Sequence, residues 1–382
     1  MNWNIQLFKL NFDHRETVAA KEVVESGWLT MGQRIIDFEN AFANFLGYGA
    51  RCTAVANGTA ALHMALLALD IKPEDEVIIP ALTFIADANV VRIVGAKPVL
   101  ADCGSLENWN MSAASIEAKI TSKTKAVIVV HYAGFPCDMT SISDLCHTRG
   151  IKLIEDVAHA PGATWAGKSC GTFGDVGCFS FFSNKNLSIG EGGMVVTCDE
   201  QLAQRLRYLR SHGMTTLTLD RHKGRAITYD VAEPGLNYRM DEIRAAIGLV
   251  QLDKLPAANS RRQDLTQMYR DKLSGSEISI PFEHLPVGSK SAYHILPILL
   301  PIGIDRLKII ESLKVRQIQS SIHYPPFWSF TAYAGWFSPE DAPIVAEICS
   351  RQLTLPLYPT MNDNDVDVVT SALLEAIGEQ LV

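Results

Sequence analysis

Short apolar runs and segments of helical length alternate along the chain between about residues 50 and 200. We predict buried strands at CTAVA (52–56), VII (77–79), PVLAD (98–102), KAVIVVH (125–131) and IKLIED (151–156). We predict helices between them at 59–69, 86–94, 112–120 and 140–149. Strands that alternate with crossover helices are typical of a mostly parallel sheet, so this part of the chain predicts one large α/β domain.

The pattern changes after residue 240, where apolar positions continue at helical spacing as far as residue 273. Pro256 divides this stretch, and because its ring fixes φ it favours a helix start, so we predict two helices separated there. Beyond them lie an apolar stretch (293–301), a helix-like segment (303–314), a strand-like IQSSIH (318–323), a loop YPPFW (324–328) and two closing helices. We therefore predict a large domain over residues 1–255 and a smaller α+β domain over residues 256–382.

Length, charge and cysteine usage narrow the classes of function. The 382 residues suit two or three packed units, and 34 Lys and Arg against 42 Asp and Glu give a formal charge of −8. Nucleic acids and anionic membranes need a broad basic surface, so neither is expected as a partner. The start lacks a leader pattern, and no apolar run reaches the ~18 residues that span a bilayer. The eight cysteines form no CxxC pair, so we expect reduced thiols, a cytoplasmic protein and no metal site.

The first candidate for chemistry is the turn Asn57-Gly58-Thr59, which lies between a predicted strand and a predicted helix. Backbone N–H groups at a helix start favour a phosphate, as does the helix dipole, and Gly58 lets a ligand come close to the backbone. Asn and Thr are also good helix caps, so an ordinary cap explains the same residues.

The second candidate is an acidic pair, Glu155 and Asp156, which ends a predicted buried strand and is followed by His159. Ligands of α/β proteins gather at the carboxyl ends of the strands, and this would place Asp156 beside a bound molecule. An Asp after a strand also serves as a cap or turn residue, so this motif needs corroboration.

The third candidate is a lysine in GCFSFFSNKNLSIGEGG (177–193), just after an apolar strand that ends at Ser180. Desolvation lowers the pKa of a lysine amine, as Schiff-base chemistry requires, and Lys185 stands where this is expected. The glycines that follow permit close approach of the backbone. A surface lysine in a loop is the alternative interpretation of this segment alone.

Together, the three motifs form the minimum set of groups for pyridoxal phosphate. The lysine holds the aldehyde, the acid keeps the pyridine nitrogen protonated, and the helix start holds the phosphate. We therefore predict pyridoxal 5'-phosphate as the cofactor.

From about residue 25 to 380 the chain resembles the DegT family of nucleotide-sugar and secondary-metabolite aminotransferases. The segments that carry the resemblance are SGWLTMGQRIIDFE (26–39), ANGTAALHMAL (56–66), PALTFIADAN (80–89), IEDVAHAPGA (154–163), FGDVGCFSFFSNKNLSIGEGGMV (173–195), GLNYRMDEIRAAIGLVQL (235–252) and SSIHYPPF (320–327). The resemblance implies the fold type I architecture, an α/β fold. Its large domain has a seven-stranded, mostly parallel sheet, and its C-terminal α+β domain is smaller.

The resemblance also implies which residues surround the cofactor ring. Lys185 would bind the aldehyde covalently and Asp156 would pair with the pyridine nitrogen, so both are predicted to be catalytic. His159 would lie near the phenolic oxygen of the ring, and Phe84 would stack on the ring face. Without the resemblance, Phe84 is simply a core aromatic.

At the cofactor phosphate, the resemblance implies contacts from Ser180, Gly58 and Thr59. Asn237 would reach the same phosphate from the neighbouring subunit, whereas by itself it is a residue ahead of a helix. This role implies a homodimer with shared active sites.

Substrate contacts are implied near the mouth of the site. The family places such contacts at His323 and Tyr324, and packing within a buried loop is the alternative for both. Trp28 and Thr30 are candidates of the same kind.

Two sets of basic residues are candidates for binding the anionic groups of the substrates. Arg239 is a candidate for the carboxylate of the amino donor, and pairing with a neighbouring acid is its alternative. The basic run with Arg221, Lys223 and Arg225 is a candidate loop that clamps a diphosphate, and a solvated charged loop is the alternative.

The predicted reaction is transamination, with L-glutamate as donor by resemblance and a keto sugar nucleotide, such as a dTDP- or UDP-linked keto-deoxysugar, as acceptor. A keto-cyclitol or an aminobenzoate precursor is an alternative acceptor. The related sugar 3-dehydratases carry histidine in place of the lysine, which Lys185 argues against. A sensor that binds the cofactor without turnover is the alternative from a different class.

Overall fold

The computed structural model describes residues 3–215 and 228–381. Its strands in the first 200 residues are β1 (Arg51–Val55), β2 (Glu76–Pro80), β3 (Lys97–Ala101), β4 (Thr124–Val130), β5 (Lys152–Asp156), β6 (Thr164–Trp165), β7 (Lys168–Ser169), β8 (Val176–Ser180) and β9 (Gly193–Thr197). Seven of them form the main sheet, in the order β1-β9-β8-β5-β4-β2-β3, while β6 and β7 form a small hairpin. Within the main sheet β9 runs antiparallel to both neighbours, and the other pairings are parallel.

The five strands predicted from apolar runs are confirmed as β1 to β5. Their residues are buried almost throughout, because helices cover both faces of a parallel sheet and leave no alternating polar face. The expected α/β fold with a seven-stranded, mostly parallel sheet is therefore confirmed. Strand β9 was not predicted; it follows the glycine-rich segment, and its Gly193 pairs with Val55 of β1.

Helices connect these strands and flank the sheet. Their bounds are α1 (His14–Ser26), α2 (Gln33–Leu46), α3 (Gly58–Ala68), α4 (Ala86–Ile93), α5 (Ala113–Glu117), α6 (Met139–Arg149) and α7 (Glu200–Arg210). The four crossover helices predicted between the strands correspond to α3 to α6. Side-chain caps fix several starts: Asn57 Oδ1, for example, accepts a hydrogen bond of 2.8 Å from the Ala60 N–H.

One prediction for the long helical region is wrong. Instead of two helices separated at Pro256, a single helix, α8, spans Glu242–Leu273 and contains the proline. A proline inside a helix removes one backbone hydrogen bond and costs about 3 kcal/mol or more. Leu252, Leu255 and Ala258 are buried on both sides of Pro256, so continuous packing offsets that cost.

The C-terminal part combines a two-stranded antiparallel sheet with three helices. The strands are β10 (Leu296–Leu299) and β11 (Gln352–Leu355), and the helices are α9 (Arg306–Val315), α10 (Pro343–Arg351) and α11 (Asp363–Leu381). The strand expected at 318–323 is not formed; Ile318 and Ser321 make only isolated bridges, to Ile5 and Thr354. The division into domains at residues 255 and 256 stays a prediction, and α8 runs through that boundary.

Among the described residues, no helix combines the length and the apolar character needed to cross a membrane.

Candidate active site

A cavity of about 490 Å³ opens at the edge of the main sheet where the parallel strands end. Loops after β1 and β2 form one side of it, and the ends of β5 and β8 form the other. Its lining includes Asn57, Gly58, Thr59, Thr83, Phe84, Asp156, His159, Ser180, Asn184, Lys185, Glu191, His323 and Tyr324. The cavity therefore brings together most of the site residues predicted from the sequence.

At one end of the cavity lies the start of α3. The N–H groups of a first helical turn have no partner within the helix, and the helix dipole is positive at this end. Glycine is required at position 58, because a Cβ there would lie 2.8 Å from the Cβ of Ser180. The missing side chain lets the turn after β1 lie against the end of β8, so the helix start and the Ser180 hydroxyl line the same part of the cavity.

Asp156 lies in the cavity wall at the end of β5 and is buried. Its Oδ1 accepts a hydrogen bond of 2.8 Å from the Ala158 N–H. Burial raises the pKa of Asp156, while the Ala158 N–H and the amine of Lys185 act in the opposite direction. The side chain can therefore present a carboxylate to a cationic group in the cavity.

His159 is buried beside Asp156, and its hydrogen bonds define its tautomer. The Ala133 N–H donates to Nδ1 at 3.3 Å, so the ring proton is on Nε2, which lies 2.9 Å from the hydroxyl oxygen of Tyr324. Burial lowers the pKa of His159 well below its usual range, which keeps the ring neutral. Because the Tyr324 oxygen accepts this hydrogen, its own hydroxyl proton can be donated to a ligand.

Lys185 follows β8 in a tight turn, in which its N–H donates to the Phe182 carbonyl at 2.8 Å. Desolvation lowers the pKa of its amine to about 8, although the Asp156 carboxylate partly opposes the shift. A substantial fraction of the amine is therefore neutral near physiological pH and able to attack an aldehyde.

This pKa gives a direct prediction for the amine. With the cofactor removed, the Lys185 amine is protonated below about pH 8 and neutral above it, so its reaction with a small amine-directed reagent should reach half its maximal rate near pH 8. The extent of labelling is measured by mass spectrometry of the Lys185 peptide as a function of pH. A lysine model peptide, with a pKa of about 10.4, is the control, and a Lys185 profile that matches it would contradict the assignment.

Phe84 lies in the loop after β2 and is 54% exposed, so the alternative that it is a core aromatic is wrong. Its ring centroid is 5.6 Å from that of Tyr324. An exposed aromatic face in a cavity wall suits a flat ligand ring.

His323 and Tyr324 also line the cavity, so packing within a buried loop does not account for them fully. His323 Nδ1 is 2.9 Å from the Thr354 hydroxyl, and burial lowers the pKa of this histidine to about 4.

Four further candidates do not line this cavity. Asn237 is exposed and pairs with Ser211 in a β-bridge, and Arg239 pairs with Val55 in the same way. Trp28 packs against Gly32. Thr30 is exposed. The role predicted for Asn237 involves a second subunit, so it stays a prediction, as do the substrate contacts of the other three.

The basic candidates Arg221, Lys223 and Arg225 lie outside the residues that the structure describes.

Two buried side chains of this region were missed in the sequence. Asp87, in the first turn of α4, is completely buried, and the Thr83 hydroxyl donates to its Oδ2 at 2.6 Å. The sequence held one signal for Asp87: it is an acidic residue within the apolar run of a predicted helix, three residues after Phe84.

The residues present fit pyridoxal phosphate. An amine with a lowered pKa, a buried acid and a helix start with room for an anion face one cavity, and they match the aldehyde, the pyridine nitrogen and the phosphate of that molecule. In the described ranges, no cluster of side chains suited to a metal ion is found.

Comparisons with known proteins agree with this geometry. The model of the DegT/DnrJ/EryC1/StrS aminotransferase family matches residues 11–374. The aminotransferase TlmJ from Streptoalloteichus hindustanus is 32% identical with a TM-score of 0.90, and the alignment covers 100% of both chains. The PLP-form of Spr1654 from Streptococcus pneumoniae, a sugar aminotransferase by its description, is 27% identical with a TM-score of 0.90 and the same coverage. PseC from Helicobacter pylori, an aminotransferase of pseudoaminic acid biosynthesis, is 27% identical with a TM-score of 0.89 over 99% of this chain and 100% of its own.

Proposed function

The chain belongs to the DegT/DnrJ/EryC1/StrS aminotransferase family, and on this premise we propose that it transfers an amino group from L-glutamate to a keto sugar nucleotide. It is a pyridoxal-phosphate-dependent aminotransferase. The observation that carries the proposal is the single cavity that holds the Lys185 amine, the Asp156 carboxylate and the start of α3.

When bound, pyridoxal phosphate supplies an aldehyde that takes up amines and a ring that withdraws electrons from the neighbouring bonds. The start of α3 and Ser180 would bind its phosphate, and Phe84 would cover the ring. Asp156 would hold the proton on the pyridine nitrogen, because a carboxylate next to that nitrogen favours its cationic form.

Lys185 Nζ has a second task, as the base that moves the proton. It would take a proton from the α-carbon of the donor and pass it to the cofactor, and in the second half of the reaction it would carry a proton from the cofactor to the carbon that becomes the amino carbon of the sugar. This step requires a neutral amine within hydrogen-bond reach, which the lowered pKa of Lys185 provides.

Two related proteins support a sugar acceptor: Spr1654 is described as a sugar aminotransferase, and PseC is an aminotransferase of pseudoaminic acid biosynthesis. Tyr324 and His323 lie at the cavity, where a donated hydroxyl proton suits a polyhydroxylated substrate. The family's sugar dehydratases carry histidine at the position of Lys185, so the lysine favours transamination. Experiment distinguishes this proposal from its two alternatives, a keto-cyclitol acceptor and a sensor without turnover.

We further propose a homodimer in the cytoplasm. Asn237 is exposed and lies outside the cavity of its own chain, as a contribution to a second subunit's site requires. All eight cysteines are free thiols, which suits a reducing compartment. An active enzyme that sediments as a monomer would contradict the dimer.

The proposed reaction is tested in two half-reactions. L-glutamate should convert the holoenzyme's visible absorption to that of the pyridoxamine form, and a keto sugar nucleotide should restore it with formation of an amino sugar. A panel of dTDP- and UDP-linked keto sugars and keto-cyclitols, followed by mass detection of aminated products, identifies the acceptor. Amination of keto-cyclitols alone would overturn the sugar acceptor, and inertness towards every amino donor would overturn the enzyme in favour of a sensor.

The basic run should contribute to binding of the diphosphate. Replacing Arg221, Lys223 and Arg225 with alanine is expected to raise the KM for a nucleotide sugar by roughly tenfold or more, because charge-assisted hydrogen bonds to a phosphate would be lost. The KM for L-glutamate serves as the internal control. An unchanged KM for the nucleotide sugar would contradict the role of this basic run in binding the diphosphate.

A further inference from the structure

A second buried carboxyl group lies near Asp156. Asp87, in the first turn of α4, is 0% exposed, and its carboxyl group interacts with that of Asp156. Thr83, its hydrogen-bond partner, and Ala86, the residue before it, line the same cavity as Asp156. The two acids come from different strand-to-helix units, one after β2 and one at the end of β5. Their contact is therefore a product of the fold and not of a local turn.

Hydrogen-bond donors reach only some of the carboxyl oxygens of Asp87 and Asp156. The Thr83 hydroxyl donates to Asp87 Oδ2 at 2.6 Å, and the Ala158 N–H donates to Asp156 Oδ1 at 2.8 Å. Asp87 Oδ1 is buried, and no donor from the described part of the chain reaches it. If both acids were ionised, two acceptors would face each other in a buried site, an arrangement that costs both desolvation and repulsion.

We propose that Asp87 is a positioning residue whose protonated carboxyl group donates its hydrogen to the Asp156 carboxylate. The pair then carries a single negative charge, on the member that faces the cavity. Asp156 stays ionised for the pyridine nitrogen, and the hydrogen bond from Asp87 fixes its orientation. The arrangement is independent of which molecule accepts the amino group.

The surroundings place the proton on Asp87. Asp156 receives the Ala158 N–H and lies near the Lys185 amine and His131, which all favour its ionised form, although burial raises its pKa. Burial, together with the Asp156 charge, raises the pKa of Asp87 well above its usual range.

Among the described residues, the groups that act on the Asp87 carboxyl include no cation. Its other titratable neighbours are Cys178 of β8 and Tyr324, whose pKa values burial raises, so both are neutral. The start of α4 favours a carboxylate through the helix dipole, but this effect is small beside the desolvation of a fully buried charge.

Infrared spectroscopy of the holoenzyme tests the proton directly. At neutral pH the wild type should show the carbonyl band of a protonated carboxylic acid, with a shift in D₂O, and Asp87→Asn should lack this band. Asp138→Asn is the matched control, because Asp138 is an exposed helix cap whose loss of a carboxylate should leave the band in place. A band that persists in Asp87→Asn would overturn the proposal.

Kinetics then separate a hydrogen-bond donor from mere packing. Asp87→Leu, similar in size but without a donor, should lower kcat by on the order of tenfold with little change in KM, as loss of a partner behind a reactive group typically does. Asp87→Asn should recover most of that loss, because its amide donates to Asp156. An asparagine variant as impaired as the leucine variant would also overturn the proposal. The infrared result does not depend on the sugar acceptor, since the band is measured without turnover.

Discussion

Replacement of Lys185 by alanine is expected to abolish transamination and the covalent attachment of the cofactor, while the protein stays folded. The variant loses the amine that we propose both binds the aldehyde and acts as the base that moves the proton. Base catalysis alone contributes up to roughly 10⁴-fold, so a loss of at least that size is expected in kcat. Turnover and the visible absorption of the cofactor are measured, with circular dichroism as the check on folding.

Two variants control for charge and for the loss of a lysine elsewhere. Lys185→Arg keeps a cation in the cavity but supplies no neutral amine, so it should be as inactive as the alanine variant. Lys152→Ala removes a lysine at the opposite edge of the sheet, where it pairs with Asp175 at 2.8 Å, and should leave turnover intact. Turnover at the parent rate in Lys185→Ala would show that the assignment is wrong.

The second largest effect is expected for Asp156→Asn. The change removes the carboxylate that we propose holds the proton on the pyridine nitrogen, and loss of one such electrostatic contact typically lowers kcat by about 10²–10³-fold. The Asp156 charge also holds up the pKa of Lys185, so the labelling midpoint of the Lys185 amine should move below pH 8 in this variant. The kinetic constants and the labelling profile are measured on the same preparation.

Asp138→Asn provides the control for this change as well. It makes the same replacement at an exposed cap whose Oδ1 accepts from the Ser141 N–H at 3.1 Å, and asparagine caps helices equally well. A kcat in Asp156→Asn within about twofold of that in the control variant would contradict the role given to Asp156.

Local sequence patterns predicted the elements that form the candidate site. Strands buried on both faces appear as short apolar runs, and polar residues at their carboxyl ends stand out against them. For this reason Asp156, Lys185 and the turn at Gly58 could be identified as candidates before their proximity was known. Their meeting in one cavity follows from the shared direction of β1, β5 and β8.

Features that depend on contacts between distant segments could not be predicted. Pro256 indicated a break, but burial of the helix on both sides of it determines the outcome. The segment 318–323 has a strand-like pattern, yet only isolated residues find a pairing partner. The contact of Asp87 with Asp156 joins two strand-to-helix units, and nothing in either segment alone indicates the other.

The most direct test of the account is to find where the cofactor is attached. Borohydride reduction of the holoenzyme makes the bond between pyridoxal phosphate and its lysine permanent, and peptide mapping by mass spectrometry then identifies that lysine. The account predicts a single modified site, Lys185, and loss of that modification after prior conversion with L-glutamate. Attachment at another lysine, or no attachment at all, would contradict it.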